Sequence, residues 1–203
     1  MLVRCAGARP DVAESCATDL LKNGCRALLS FGIAGGLAAD LHAGQVVIAN
    51  SVVMPGGKQV ATAANWRERL VSALPRNGDV VVGPVCGSET VIAEVGEKLQ
   101  MFRQTGAIAV DMESHRVARV AAAAGVPFMV IRAISDDFAH TIPSIALGAI
   151  SEKGTPRYGK ILLGLLTNPG DIPGVMRLSR DSESALASLR RVALAAAPLF
   201  RFA

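Results

Sequence analysis

Residues 126–136, Val126-Pro127-Phe128-Met129-Val130-Ile131-Arg132-Ala133-Ile134-Ser135-Asp136, decide the fold. The run up to Ile134 is apolar except for Arg132 and rich in β-branched residues, which predicts a strand buried on both faces. Residues 113–124 before it are spaced as a helix that Gly125 stops, and 107–110 form a short buried strand before that. Working back toward the N-terminus, the alternation repeats. Helical spacing over 92–104 follows a strand at 79–86, with Pro84 near its end. A helix capped by Asn65 and running to Leu74 follows a strand at 45–53, which Pro55-Gly56-Gly57 closes. A strand at 26–31 follows a helix at 11–23 with Gly24 as its stop. Apolar strands alternating with helices predict an α/β domain in three layers, α/β/α.

The chain has 203 residues, 51% of them hydrophobic and 19% charged, a composition that predicts one folded domain over 1–203 and excludes disorder. Its core is expected over about 1–137. The part from 138 to 203 differs in character, with an apolar, proline-interrupted stretch at 141–150, helical spacing at 158–166, a turn-rich break at 168–173 and an amphipathic helix at 182–196. The net charge of +4 is scattered, without a basic run interleaved with aromatics, so no nucleic-acid partner is expected. It is compatible with an anionic small molecule. Cys5, Cys16, Cys25 and Cys86 have neither C-x-x-C nor zinc-finger spacing, which predicts reduced, mostly buried thiols in a cytoplasmic protein. His42, His115 and His140 share no metal-ligand spacing. No apolar run approaches the ~20 residues of a membrane span, and peripheral membrane contact is left open. Trp66 and Arg67 read as packing residues.

Two strings end in carboxylates: Val110-Asp111-Met112-Glu113-Ser114 and Arg132-Ala133-Ile134-Ser135-Asp136. Ligands of α/β sheets sit beyond the carboxyl ends of strands, and both Asp136 and Glu113 follow such ends. Such a pair suits cleavage of an N-glycosidic bond, whose leaving purine needs a proton at N7 and whose oxocarbenium-like sugar needs its hydroxyls held. Asp136, at the edge of an apolar strand, suits the general acid. Glu113 suits the ribose hydroxyls, and Met112 offers a soft apolar face. A plain N-cap or loop carboxylate is the alternative for each acid. Gly32-Ile33-Ala34-Gly35-Gly36 lacks the G-x-G-x-x-G spacing; it is either a tight turn or a place where backbone N–H groups meet an anion. Gly87-Ser88-Glu89-Thr90 is a candidate further wall of the same pocket.

Phe31-Gly32-Ile33-Ala34-Gly35-Gly36-Leu37, Val110-Asp111-Met112-Glu113-Ser114 and Val130-Ile131-Arg132-Ala133-Ile134-Ser135-Asp136, in this order and spacing, resemble the nucleoside phosphorylase and methylthioadenosine/adenosylhomocysteine nucleosidase superfamily over about residues 5–137. The resemblance implies a nucleoside phosphorylase-like fold with a central mixed sheet. It implies that Asp136 acts at purine N7 with Ser135 supporting it, and that Glu113, Met112 and Asp111 bind the nucleoside. It further implies that Val91 and Ile92 line the base pocket, that Ala34 and Gly35 border the substrate, and that Gly32 and Arg9 are the candidates for phosphate. Arg9 reads equally as a surface turn residue. No organic cofactor or metal is implied. Inorganic phosphate would be a co-substrate, and water or phosphate remains open as the nucleophile. The family further implies a homodimer.

The Ile142-Pro143 segment and Asn168-Pro169-Gly170-Asp171-Ile172-Pro173 are similar to the hopanoid-associated branch. That branch implies release of adenine from adenosylhopane in hopanoid biosynthesis, with 141–150 as a lip for the lipid. A methylthioadenosine/adenosylhomocysteine-type nucleosidase and a non-catalytic nucleoside-binding remnant are the alternatives. The family begins with another strand, and residues 1–7 correspond to a later one, so the first strand is expected to be missing. Ile33 stands where a small hydroxyl residue is common, and Val91 where the nucleosidases carry an aromatic residue.

Overall fold

In the computed structural model the described residues are 1–75, 78–147, 168–200 and 202. In chain order they form α1 (Pro10–Lys22), β1 (Leu28–Gly36), β2 (Val46–Val53), β3 (Gln59–Ala61), α2 (Ala64–Ala73), β4 (Val80–Gly87), α3 (Val95–Thr105), β5 (Ala109–Asp111), α4 (Ser114–Ala124), β6 (Phe128–Asp136), α5 (Ser144–Leu147) and α6 (Ile172–Ala196). Local chemistry sets most of the ends. Pro10 occupies the first turn of α1, where its missing N–H costs nothing. Gly106 and Gly125 end α3 and α4 in the left-handed conformation, which their lack of a Cβ permits.

Every residue of β6 is buried, as an apolar strand covered on both faces must be. On one face Val130 and Ile134 pack with Ala17 of α1 and with Val117, Ala118 and Ala121 of α4. On the other, Met129, Ile131 and Ala133 pack with Trp66 and Leu70 of α2 and with Ala185, Leu189 and Val192 of α6. These are the three expected layers, and the sheet between them is mixed. Its order is β3-β2-β4-β5-β1-β6, with β1 parallel to β6, β2 and β4 parallel, β4 and β5 parallel, and β1 antiparallel to β5. Residues 46–48 of β2 also pair antiparallel with 131–133 of β6. The pairings therefore close into a ring, with β3 outside it. The edge of β1 away from β6 is bonded to β5 only at Gly35 and Gly36, and Phe31 and Ile33 are exposed there.

Several expectations are corrected. Residues 1–7 form no strand; an extended segment needs a neighbouring edge for its N–H groups, and none of the described strands pairs with it. β3 was not foreseen. Asn65 lies inside α2, whose N-cap is Ala63. α3 begins at Val95, after a capping box between Glu94 and Glu97, whose E-x-x-E spacing was legible. α6 begins ten residues ahead of the expected 182, because Pro173 falls in its first turn, where proline is tolerated. Of the four cysteines only Cys86 is buried, and Cys5 is exposed; burial pushes the Cys86 thiol up to about 11. The helix expected at 158–166 and residues 148–150 lie outside the described residues. No described helix is long and apolar enough to cross a membrane.

Trp66 is 1% exposed and its indole N–H donates to the Leu199 carbonyl at 2.6 Å. Trp66→Phe leaves that carbonyl without its donor, at a cost of about 1–3 kcal/mol. Calorimetry is expected to show Tm falling roughly 2–4 °C for each kcal/mol.

Candidate active site

Three strand ends meet at Gly35. Its register partner on β6 is Asp136 and on β5 is Val110, so the two flank it about 10 Å apart, two strand spacings. A Cβ on Gly35 would lie 3.0 Å from Asp136 Oδ2 and 3.5 Å from Val110 Cγ1. The missing side chain therefore lets the Asp136 carboxyl and Val110 come close against the β1 backbone. β5 runs antiparallel to β1, which corrects the expectation that both acids leave carboxyl ends on one edge of the sheet. Asp136 ends β6, and the chain after Val110 runs back along β1 toward Gly32 and Arg132.

Arg132 sits in the all-buried β6 at 2% exposure, a charge that must be paired. Its Nε donates to Asp111 Oδ2, and its Nη2 donates to Ser30 Oγ at 2.7 Å, Ser114 Oγ at 3.0 Å and Glu113 Oε2 at 3.4 Å. Gly32 leaves room for this guanidinium, since a Cβ there would lie 2.5 Å from Arg132 Nη1. Asp111 also accepts the backbone N–H groups of Glu113 at 3.0 Å and Ser114 at 2.7 Å, and the Ser114 hydroxyl donates to it. Asp111 thus caps the start of α4 from outside the helix. Glu113 holds the N-cap position with no capping bond from its side chain, so its carboxyl faces Arg132 and not the helix N–H groups.

Burial holds the Glu113 carboxyl above the usual carboxylate range; Arg132 pulls it down and Asp111 adds to the rise. The folded value lies above the unfolded one, so the contribution of Glu113 to stability is complete at low pH and is lost as pH rises through the raised value. Glu113→Gln carries no charge to bury. Its Tm is expected to exceed that of the wild type near neutral pH, with the difference shrinking as the solution is acidified.

At the other end of the site the Ser135 hydroxyl lies 2.9 Å from Asp136 Oδ1 and 3.3 Å from the Ala34 carbonyl. Asp136 Oδ2 pairs with Lys98 Nζ at 2.7 Å. Lys98, fully buried on α3, was not foreseen. Its signal was its place three residues before Met101 on the packed face of that helix. Ala34 is buried in the core, Ile92 packs on the cluster of Leu37 and Val110, Met112 is half-buried and Val91 is exposed. Arg9 is exposed and paired with Asp11 at 2.9 Å, and Gly32 faces Arg132, so the two phosphate candidates are not brought together by any described contact. The 87–90 turn does border the site: Gly87 is the register partner of Asp111, and Ser88 N–H donates to the Asp111 carbonyl at 2.8 Å. Behind the turn, Glu89 binds His115 and Arg116. Among the described residues no group of three His, Cys, Asp or Glu side chains could hold a metal.

Residues 5–166 match the family model of the phosphorylase superfamily. The chain belongs to that superfamily. A 5'-methylthioadenosine/S-adenosylhomocysteine nucleosidase of Actinobacillus succinogenes is 31% identical over an alignment of 146 positions that covers 62% of this chain and 63% of the relative. A nucleosidase of the same kind from Haemophilus ducreyi is 28% identical over an alignment of 160 positions that covers 70% of this chain and 68% of the relative. The chain thus spans about two thirds of the length of these superfamily members. Among solved structures, the corresponding nucleosidase of S. pneumoniae with a transition-state inhibitor superposes with a TM-score of 0.64 at 20% identity, covering 79% of this chain and 78% of that one. The futalosine hydrolase of Helicobacter pylori gives 0.61 at 21% identity, over 80% and 77%. Both share the superfamily fold.

Proposed function

We propose that the chain is an enzyme that binds an adenine nucleoside and cleaves its N-glycosidic bond, with Asp136 serving the purine and Glu113 the sugar. The Asp136 carboxyl set against Gly35 where three strands meet, with Glu113 at the start of the helix that follows β5, is the observation that carries this reading, and the two nucleosidase relatives support it. In the reaction the C1′–N9 bond breaks with its electron pair going to the purine, and a proton passes from Asp136 to N7. An oxygen of water or phosphate bonds C1′, and its proton leaves to solvent. Glu113, freed from capping by Asp111, holds the ribose hydroxyls while positive charge develops on the sugar. Asp111 and Arg132 position Glu113 in this scheme.

The substrate in this reading carries an apolar 5′ substituent, as adenosylhopane does in hopanoid biosynthesis. Leu147, Ile172 and Met176 are exposed apolar side chains, and Gly174 of α6 lies against Pro143 in the 141–147 segment. The protein would work as a cytoplasmic homodimer, which sedimentation of the purified chain would check. Kinship to the nucleosidases favours a second reading, 5'-methylthioadenosine or adenosylhomocysteine as substrate. The test is adenine release, followed by chromatography, from adenosylhopane, methylthioadenosine, adenosylhomocysteine and adenosine, each with and without inorganic phosphate. Preference for adenosylhopane supports the first reading and preference for methylthioadenosine the second. A requirement for phosphate identifies phosphorolysis, and no release from any of them overturns the proposal.

A further inference from the structure

Lys98 is fully buried and its Nζ faces three oxygens: Asp136 Oδ2 at 2.7 Å, the Asp137 carbonyl at 2.7 Å and the His140 carbonyl at 3.1 Å. An ammonium has three hydrogens and no acceptor, so this arrangement uses all of its donors. A neutral amine would turn a lone pair toward one of the oxygens. Lys98 therefore sits here as a cation, tied both to the carboxylate and to the loop that leaves β6. With the Ser135 hydroxyl on Oδ1, Asp136 is held from both sides.

We propose that Lys98 is a positioning residue for Asp136: its ammonium fixes the direction of the Asp136 carboxyl at the purine and ties it to the loop that leaves β6. The inference rests on the adenine-nucleoside reading above. Without Lys98 the carboxyl loses one of its two side-chain partners and the tie to the Asp137 and His140 carbonyls, and is free to turn away from N7. Lys98 itself is out of reach of solvent and acts through Asp136. The other charges of this neighbourhood are Asp137 and His140, bonded to each other at 2.5 Å on the loop after β6, Glu94 at the start of α3, which accepts from Thr141, and Asp181 and Arg177 on α6. Burial first, then Asp137, raises the Asp181 carboxyl.

The test compares the wild type with Lys98→Met, Lys98→Arg and the double variant K98M/D136N. Two readouts are followed: adenine binding by calorimetry, which needs no turnover, and adenine release from whichever nucleoside the wild type cleaves. In K98M adenine is expected to bind roughly tenfold more weakly, because the carboxyl that meets N7 is no longer fixed. The rate kcat is expected to fall roughly 100-fold with KM changed far less, and K98R to recover part of it. A purely structural lysine would lower Tm and leave adenine binding and kcat of the folded protein where they were, and that result overturns the proposal. The double variant, with both charges gone, is expected to regain the Tm lost by K98M; if K98M does not fold, K98R, which keeps the charge and changes the geometry, carries the comparison of kcat with KM. Wild-type protein that binds adenine but releases none overturns the enzymatic reading while weakened adenine binding in the Lys98 variants still supports Lys98. Wild-type protein that neither binds adenine nor releases it overturns both.

Discussion

Asp136→Asn is expected to lower adenine release by about 10²–10⁴-fold, the usual contribution of a general acid. An amide in the same place still accepts a hydrogen bond but has no proton to give a leaving purine. The substitution also has a structural cost. Lys98 is fully buried and Asp136 is its carboxylate partner, and breaking a buried pair by removing one member costs about 3–5 kcal/mol. The asparagine oxygen and the two loop carbonyls offset part of this. Thermal unfolding should therefore accompany the rate measurement, with the protein assayed well below the lowered Tm. Release at the wild-type rate from a folded Asp136→Asn protein would remove Asp136 from the reaction.

The second large effect is on stability. Arg132→Met is expected to destabilise the fold by about 3–5 kcal/mol, because it strips the buried Asp111 of its arginine partner while Ser30 and Ser114 lose a donor. At roughly 2–4 °C per kcal/mol the Tm loss should be plain in a scanning calorimeter. Loss of function should follow at temperatures where the protein is still folded, since Asp111 holds the N–H groups of Glu113 and Ser114 and so fixes where Glu113 starts α4. A change of less than about 1 kcal/mol would mean that the Asp111 cap stands without its arginine.

Much of the fold was legible because its strands are apolar on both faces. The run over 126–134 has no surface to present to water, so burial on two sides follows from composition alone. Helix ends were legible where a left-handed glycine stops them, as at Gly125. They were misjudged where proline was taken as a break, as at Pro173. β3 has only three residues, and a segment that short owes its pairing to the strand it meets rather than to its own pattern. The direction of β5 was hidden for the same reason. Of the candidate site, Asp136, Ser135 and Glu113 were foreseen by residue type and place. Asp111 was read as a ligand residue, and the structure gives it the cap of α4 and the pairing of Arg132. Arg132 had a signal, since a lone charge in a buried strand has to find a counter-charge. Lys98 had only its place on the packed face of α3, because its partner is 38 residues away and long-range pairing leaves no local mark.

The ring of strand pairings sets an order of assembly. Residues 46–48 reach their partners at 131–133 only after more than eighty intervening residues are in place. Closure is therefore a late event with a large loop entropy to overcome. During synthesis, a nascent chain that ends before β6 leaves β1 and β2 each with an exposed backbone edge, the kind that pairs with other chains. Emergence of β6 covers both edges at once and delivers Arg132 and Asp136 in the same step. The strand that ends the aggregation hazard is the strand that completes the pocket.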